Sequence, residues 1–268
     1  MGKKIIVILA VVIVAIYMVF SDEEQKTSSQ VKVATQPQNY RPTPVKPAKM
    51  EVGMLEEIGR WPFVGEEKEV ELLDSDLNRK NFVVIFDGSG SMGDKKCSGD
   101  KTKADVAKDA VSEWSKSVPE GANLGLIVFD QSGLSVRLPL GINNRDQFRQ
   151  KVQAVIPNYK TPLATSLDRA YQMLNVQGRR QLGYGEYSIV VVTDGVANDP
   201  AALGRGVLKI TAGSPVMINT IGFCIATNHS LNQAGRTIYK GANDPAALKR
   251  GLEEVLAESE TFDISAFQ

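Results

Sequence analysis

Cysteine and histidine are almost missing from this chain, and each shortage excludes a class of protein. Two cysteines, Cys97 and Cys224, in 268 residues are far too few for a disulfide scaffold, though enough for a single bridge in an oxidising compartment. The one histidine, His229, rules out a multi-histidine zinc site within one chain. Net charge is lacking as well. Lys+Arg and Asp+Glu both number 31, so no overall field draws nucleic acid or an anionic membrane. Basic clusters interleaved with aromatics are absent too, and a nucleic-acid partner is not expected. A hard-cation site built from oxygen atoms stays open. The chain is 43% hydrophobic and 23% charged, a globular composition at a length that accommodates one sizeable α/β domain plus flanking segments.

The flanking segments come first. Lys3 and Lys4 precede an unbroken apolar run from Ile5 to Phe20, about 16 residues against the ~20 that span a bilayer comfortably. We read residues 1–21 as a signal anchor, a transmembrane helix, with cleavage after Ser21 and secretion as the alternative. Positive charges before the run and Asp22-Glu23-Glu24 after it leave the N-terminus cytoplasmic and export the rest. The expected location is therefore a single-pass inner-membrane protein with its C-terminal domain on the periplasmic side. Residues 22–50, rich in Gln, Ser, Thr, Lys and Pro, read as a disordered tether. Residues 51–80 form a pre-domain segment. Trp61, Phe63 and the alternation Val70-Glu71-Leu72 suggest a strand packed on the domain.

From residue 81 the pattern alternates strand and helix. Phe82–Phe86, Leu124–Phe129, Ser188–Thr193 and Val216–Phe223 are continuous apolar runs, as expected of strands buried on both faces. Leu134–Leu140 reads as a hairpin partner of the second. Helices are expected after Lys101, with Val106, Ala110, Val111 and Trp114 on one stripe, over Asp146–Ile156, and over Leu163–Leu174. Asp199-Pro200 and Asp244-Pro245 each place Asp at an N-cap and Pro at the first helical position. The fold class is α/β, a doubly wound, mostly parallel sheet flanked by helices.

Ligands of such sheets bind at the carboxyl ends of the strands. There the first strand ends in Asp87-Gly88-Ser89-Gly90-Ser91-Met92-Gly93, with three oxygen-bearing side chains spaced by two. Thr161 precedes the Leu163 helix, and Asp194 ends the strand of Val190–Thr193. Three hydroxyls and two carboxylates suit a hard cation. Mg²⁺ fits best, with Mn²⁺ or Ca²⁺ also compatible.

Asp87-x-Ser89-x-Ser91, Thr161 in Lys160-Thr161-Pro162-Leu163, and Thr193-Asp194-Gly195 resemble the von Willebrand factor type A domain and its metal-ion-dependent adhesion site. The resemblance runs roughly from Asn81 to Ala257 and puts the domain at 81–258, with 259–268 as a C-terminal tail. It implies Ser89, Ser91 and Thr161 near the ion, Asp87 and Asp194 acting directly or through water, and a partner protein's Asp or Glu completing the coordination. The last helix, Asp244–Ala257, is the element that shifts in some relatives.

An enzyme is the main rival. Gly88–Gly93 satisfies the G-x-G-x-x-G pattern of dinucleotide sites, the loop of a nucleotide-dependent oxidoreductase. Asp87 would repel a pyrophosphate there. Asp130, the next strand-end acid, lies roughly 37 residues past Gly93 rather than about 20. A scaffold with a purely structural site is the second rival. No nucleophile, base or redox group is evident, so neither enzymatic activity nor a small-molecule substrate is expected. Cys97 and Cys224 lie near the same edge and are a candidate disulfide. His229 reads as a surface loop residue, and Asp130 and Asp199 as solvated turn carboxylates.

Overall fold

The computed structural model describes residues 61–63, 72–225 and 229–260, the last three as backbone only, all within the compact unit Glu51–Gln268. The expected transmembrane helix and tether, the tail beyond residue 260, and Val70-Glu71 lie outside the described residues.

Among the described residues six strands form one sheet: β1 (Lys80–Asp87), β2 (Asn123–Asp130), β3 (Gly133–Gly141), β4 (Glu186–Thr193), β5 (Met217–Phe223) and β6 (Ile238–Ala242). Their order is β3-β2-β1-β4-β5-β6. Only the β2–β3 hairpin is antiparallel. The strand order reverses between β1 and β4, whose carboxyl ends therefore flank the crevice of the sheet.

Alternation along β1 explains its continuous apolar run. Phe82, Val84 and Phe86 face a core shared with α1 (Lys103–Ser117), α2 (Arg145–Gln153) and α5 (Pro245–Glu260). Val83 and Ile85 face a second core under α3 (Leu163–Arg180) and α4 (Pro200–Gly213). The stripe of α1 is buried as expected, and the Trp114 ring meets Phe82 edge-on at 6.0 Å. Both Asp-Pro helix starts are as read. The side chain of Asp199 accepts from Ala202 N–H, and that of Asp244 from Ala247 N–H, each at 2.8 Å.

Some details differ from the sequence pattern or add to it. The helix expected to reach Ile156 stops at Gln153. Its continuation turns away so that Ile156 N–H donates to Asp130 Oδ2 at 3.3 Å and Gln131 N–H donates to Ile156 O at 3.0 Å. The edge strand β6 was not foreseen. The pre-domain segment contributes no strand among its described residues before Lys80.

That segment is instead clasped by the C-terminal half of α3. Asn175 bonds both the N–H and the C=O of Phe63, at 2.7 and 3.1 Å. Asp74 N–H donates to Arg180 O at 2.8 Å, and Gln181 Nε2 donates to Leu77 O at the same distance. Trp61 sets its ring edge-on against Tyr187, with centroids 4.5 Å apart. Gly178 makes this approach feasible, because a Cβ there would lie 2.5 Å from Trp61 Cη2.

Candidate metal centre

At the carboxyl end of β1 the chain bends sharply under Gly88, whose N–H donates to Phe129 O at 2.8 Å. No side chain fits at this position, since a Cβ would sit 2.8 Å from Phe129 O, Asp130 Cβ and Val155 Cγ1. A single 3-10 turn, Gly90–Gly93, follows. The next helix, α1, begins only at Lys103, about ten residues past Gly93, whereas the dinucleotide loop opens directly into its helix. This arrangement disfavours the dinucleotide reading.

The structure brings the five residues read from the sequence to one place. Ser89 Oγ and Ser91 Oγ share a hydrogen bond of 3.1 Å. Ser91 Oγ donates to Asp194 Oδ1 at 2.8 Å, across the β1–β4 boundary. Thr161 Oγ1 and Ser91 Oγ lie 3.5 and 3.7 Å from a single point, the place a Cβ would take on Gly195. Asp87 stands behind them. Its Oδ1 accepts from Ser89 N–H at 2.8 Å and its Oδ2 from Thr193 Oγ1 at 2.5 Å. Asp87, Ser89, Thr161 and Asp194 are buried, whereas Ser91 is exposed.

With both oxygens already accepting, Asp87 is placed to orient the loop rather than to face outward. Desolvation by burial dominates its electrostatics and pushes the carboxyl up from 3.8 to about 6. Hydrogen bonds from Ser89 and Thr193 oppose the rise, and the Asp194 charge adds to it.

Residues that the sequence did not point to complete the surroundings. The Lys103 ammonium, buried at the first position of α1, is ion-paired with Asp194 Oδ2. Asn198 pins the Thr161 loop by accepting from Thr161 N–H at 3.1 Å and donating its own N–H to Thr161 O at 3.0 Å. His229 is buried, not on the surface. Its Nδ1 accepts from Leu231 N–H at 3.1 Å, which leaves Nε2 to donate to Gly195 O at 2.9 Å. Asp130 is likewise buried rather than solvated, and pairs with Arg137 at 2.5 Å. Cys97 and Cys224 are joined in a disulfide, with Cα atoms 5.9 Å apart, tying the segment after the 3-10 turn to the end of β5. Among the described residues no three His, Cys, Asp or Glu side chains group to hold a metal. The cluster is made mostly of hydroxyl oxygens instead.

A family model described as von Willebrand factor type A domain matches residues 82–196. That span runs from β1 through Asp194. Over that span, less than half of the chain, the sequence is similar to the von Willebrand factor type A domain. "Uncharacterized protein YwmD" of Bacillus subtilis (strain 168) is 26% identical over 205 residues, covering 68% of this chain and 83% of its own. Among solved structures, a von Willebrand factor type A protein from Catenulispora acidiphila superposes with a TM-score of 0.56 at 19% identity, over 68% of this chain and 43% of its own. Proximal thread matrix protein 1 from the mussel byssus, solved with a zinc-occupied MIDAS motif, gives 0.51 at 20% identity, over 69% of this chain and 48% of its own. This chain thus spans less than half the length of either structure, and at these identities the likeness is one of fold.

Proposed function

We propose that this von Willebrand A domain binds one divalent cation, Mg²⁺ in the first place, and through it an acidic side chain of a partner protein. Ser89, Ser91 and Thr161 supply neutral oxygens, with Asp194 beside them and Asp87 behind, directly or through water. Such a set suits a hard cation, and its neutral hydroxyls leave the ion room for a further oxygen ligand. One observation carries the reading: side chains from three separate stretches of chain converge beside Gly195, with Ser91 Oγ hydrogen-bonded to Ser89 and Asp194 and Thr161 Oγ1 close to the same point. The mussel protein's zinc-occupied site shows that the fold can hold a metal at its MIDAS motif. Exposed Tyr159 and Val196 flank the cluster and offer apolar contact to whatever brings the carboxylate.

The domain acts as an adhesion or assembly module and not as an enzyme, because the cluster holds no activated nucleophile or general base. The Ile5–Phe20 run anchors it in the inner membrane with the domain on the periplasmic side, a compartment in which the Cys97–Cys224 disulfide persists.

Isothermal titration of the full chain in detergent with Mg²⁺ tests the metal. Saturable binding that Asp194→Ala abolishes is the expected result. Identical null traces for both proteins would leave a scaffold with a structural site. Crosslinking and pull-down from membranes with and without EDTA then tests the partner, which must be lost on chelation and with Ser91→Ala.

A further inference from the structure

Lys103 is the unexplained charge of the candidate metal centre. An ammonium is rarely buried, and its burial is costly unless a carboxylate compensates it. Here the compensating group is Asp194 Oδ2, itself out of contact with solvent. The backbone N–H of Lys103 donates to Asp94 O at 2.8 Å and fixes the start of α1 against the end of the 3-10 turn, so the ammonium is presented to Asp194 from a fixed point of the main chain. Asp194 thereby has both oxygens engaged, Oδ1 by Ser91 and Oδ2 by Lys103. Of the nearby charges, Asp130 is neutralised by Arg137, and Asp94 and Lys160 are exposed to solvent, which screens them.

We infer that Lys103 is a built-in counter-charge that determines which ligand the bound cation accepts, an inference that rests on the metal-binding reading above. The charges decide it. Asp87 and Asp194 together would neutralise a divalent ion completely, leaving little pull on an incoming anion. Lys103 cancels one of them, so the loaded centre carries one net positive charge. A single carboxylate from a partner brings it to neutrality; a phosphate dianion overshoots. The same charge weakens the hold on the ion itself, since a second cation stands across one carboxylate from it. Lys103 trades metal affinity for affinity toward a monoanionic partner group, and it keeps Asp194 aimed whether or not an ion is bound.

Three proteins test this as full chains in detergent: wild type, Lys103→Met and Lys103→Arg. Mg²⁺ affinity is read by calorimetry. Acetate binding is read from relaxation of the acetate methyl protons on the Mn²⁺-loaded protein. Lys103→Met should bind Mg²⁺ at least about tenfold more tightly, the scale of removing one nearby charge at an intermediate dielectric. It should also bind acetate more weakly by a similar factor. Lys103→Arg, which keeps the charge, should resemble wild type in both. A role confined to packing would instead be served as well by Met and would move neither reading. If Lys103→Met does not fold, Lys103→Gln, a neutral donor to Asp194, replaces it with the same expectations. Wild type that binds Mg²⁺ while the neutral variants show unchanged or weaker Mg²⁺ affinity overturns the role of Lys103. Wild type that binds no divalent ion removes the metal reading itself.

Discussion

The disulfide gives the largest energetic prediction. Cys97 and Cys224 are separated by 127 positions, so the bridge closes a long loop containing α1, β2, β3, α2, α3, β4, α4 and β5. In the chain-entropy model, closing a loop of that size removes about 5 kcal/mol of freedom from the unfolded chain. Observed losses for native disulfides of small domains run about 2–5 kcal/mol, because unfolded chains are not random. For a domain of this size each kcal/mol moves the midpoint by about 2–4 °C, so removing the bridge should lower Tm by roughly 5–20 °C. The perturbation is Cys97→Ala with Cys224→Ala, and the assay is scanning calorimetry of the full chain with and without reductant. The double variant should match the reduced wild type. The loss should also reach the metal centre, since Cys97 lies between the 3-10 turn and Lys103; Mg²⁺ affinity should fall in the same samples. A shift below about 2 °C, or two free thiols per chain in protein purified from an oxidising compartment, would refute the reasoning.

Two further outcomes are expected. Burial raises Asp87 to about 6, above its value in the unfolded chain, so the folded state holds more protons between the two values. Without a divalent ion, this group's contribution to stability is therefore present below about pH 4 and lost as pH climbs through about 6. Mg²⁺ affinity should run the opposite way, falling by up to about tenfold per pH unit below about 6, as titrations at pH 5 and pH 7 would reveal; Asp87→Asn should flatten both dependences. Separately, Gly178→Ala sets a Cβ 2.5 Å from the Trp61 ring and should cost about 1–3 kcal/mol by overpacking. Chemical denaturation reads that cost, and Trp61→Ala in the same background should recover part of it.

The central strands could be read from sequence because a parallel strand buried on both faces must be apolar at every position, as Phe82–Phe86 and Ser188–Thr193 nearly are. Edge strand β6, Ile-Tyr-Lys-Gly-Ala, is half-exposed and has neither continuous nor alternating hydrophobicity, so it leaves no such trace. The five oxygen-bearing residues were legible because each sits at the end of a strand or the start of a helix that the apolar pattern marks. Their supporting residues were not. Lys103 reads as an ordinary charged residue opening a helix, and its partner lies 91 positions away. His229 has a polar local sequence, and its burial comes from a carbonyl on another loop, Gly195 O. Asp130 follows a strand as turn acids do, and only the β2–β3 hairpin brings Arg137 back to it. In each case the missing information is a tertiary partner, which local spacing does not encode.

The same partners determine from which side the cluster can be approached. Asp87 is committed to Thr193 and the Ser89 N–H, Asp194 to Ser91 and Lys103, and the Thr161 loop to Asn198. Orienting these groups has already been achieved by the fold, so an arriving ion has little ordering entropy left to overcome. The cost is that none of the buried members can reach outward to meet a ligand. Ser91 alone is exposed, and the exposed side chains of Tyr159 and Val196 stand on the loops that hydrogen-bond or adjoin the Gly90 and Asp194 backbones. On the proposed reading, and among the described residues, a partner's carboxylate would enter past Ser91, with its neighbouring residues against Tyr159 and Val196. It follows that changes at those two positions should alter partner affinity without altering Mg²⁺ affinity, whereas changes at Ser91 must alter both.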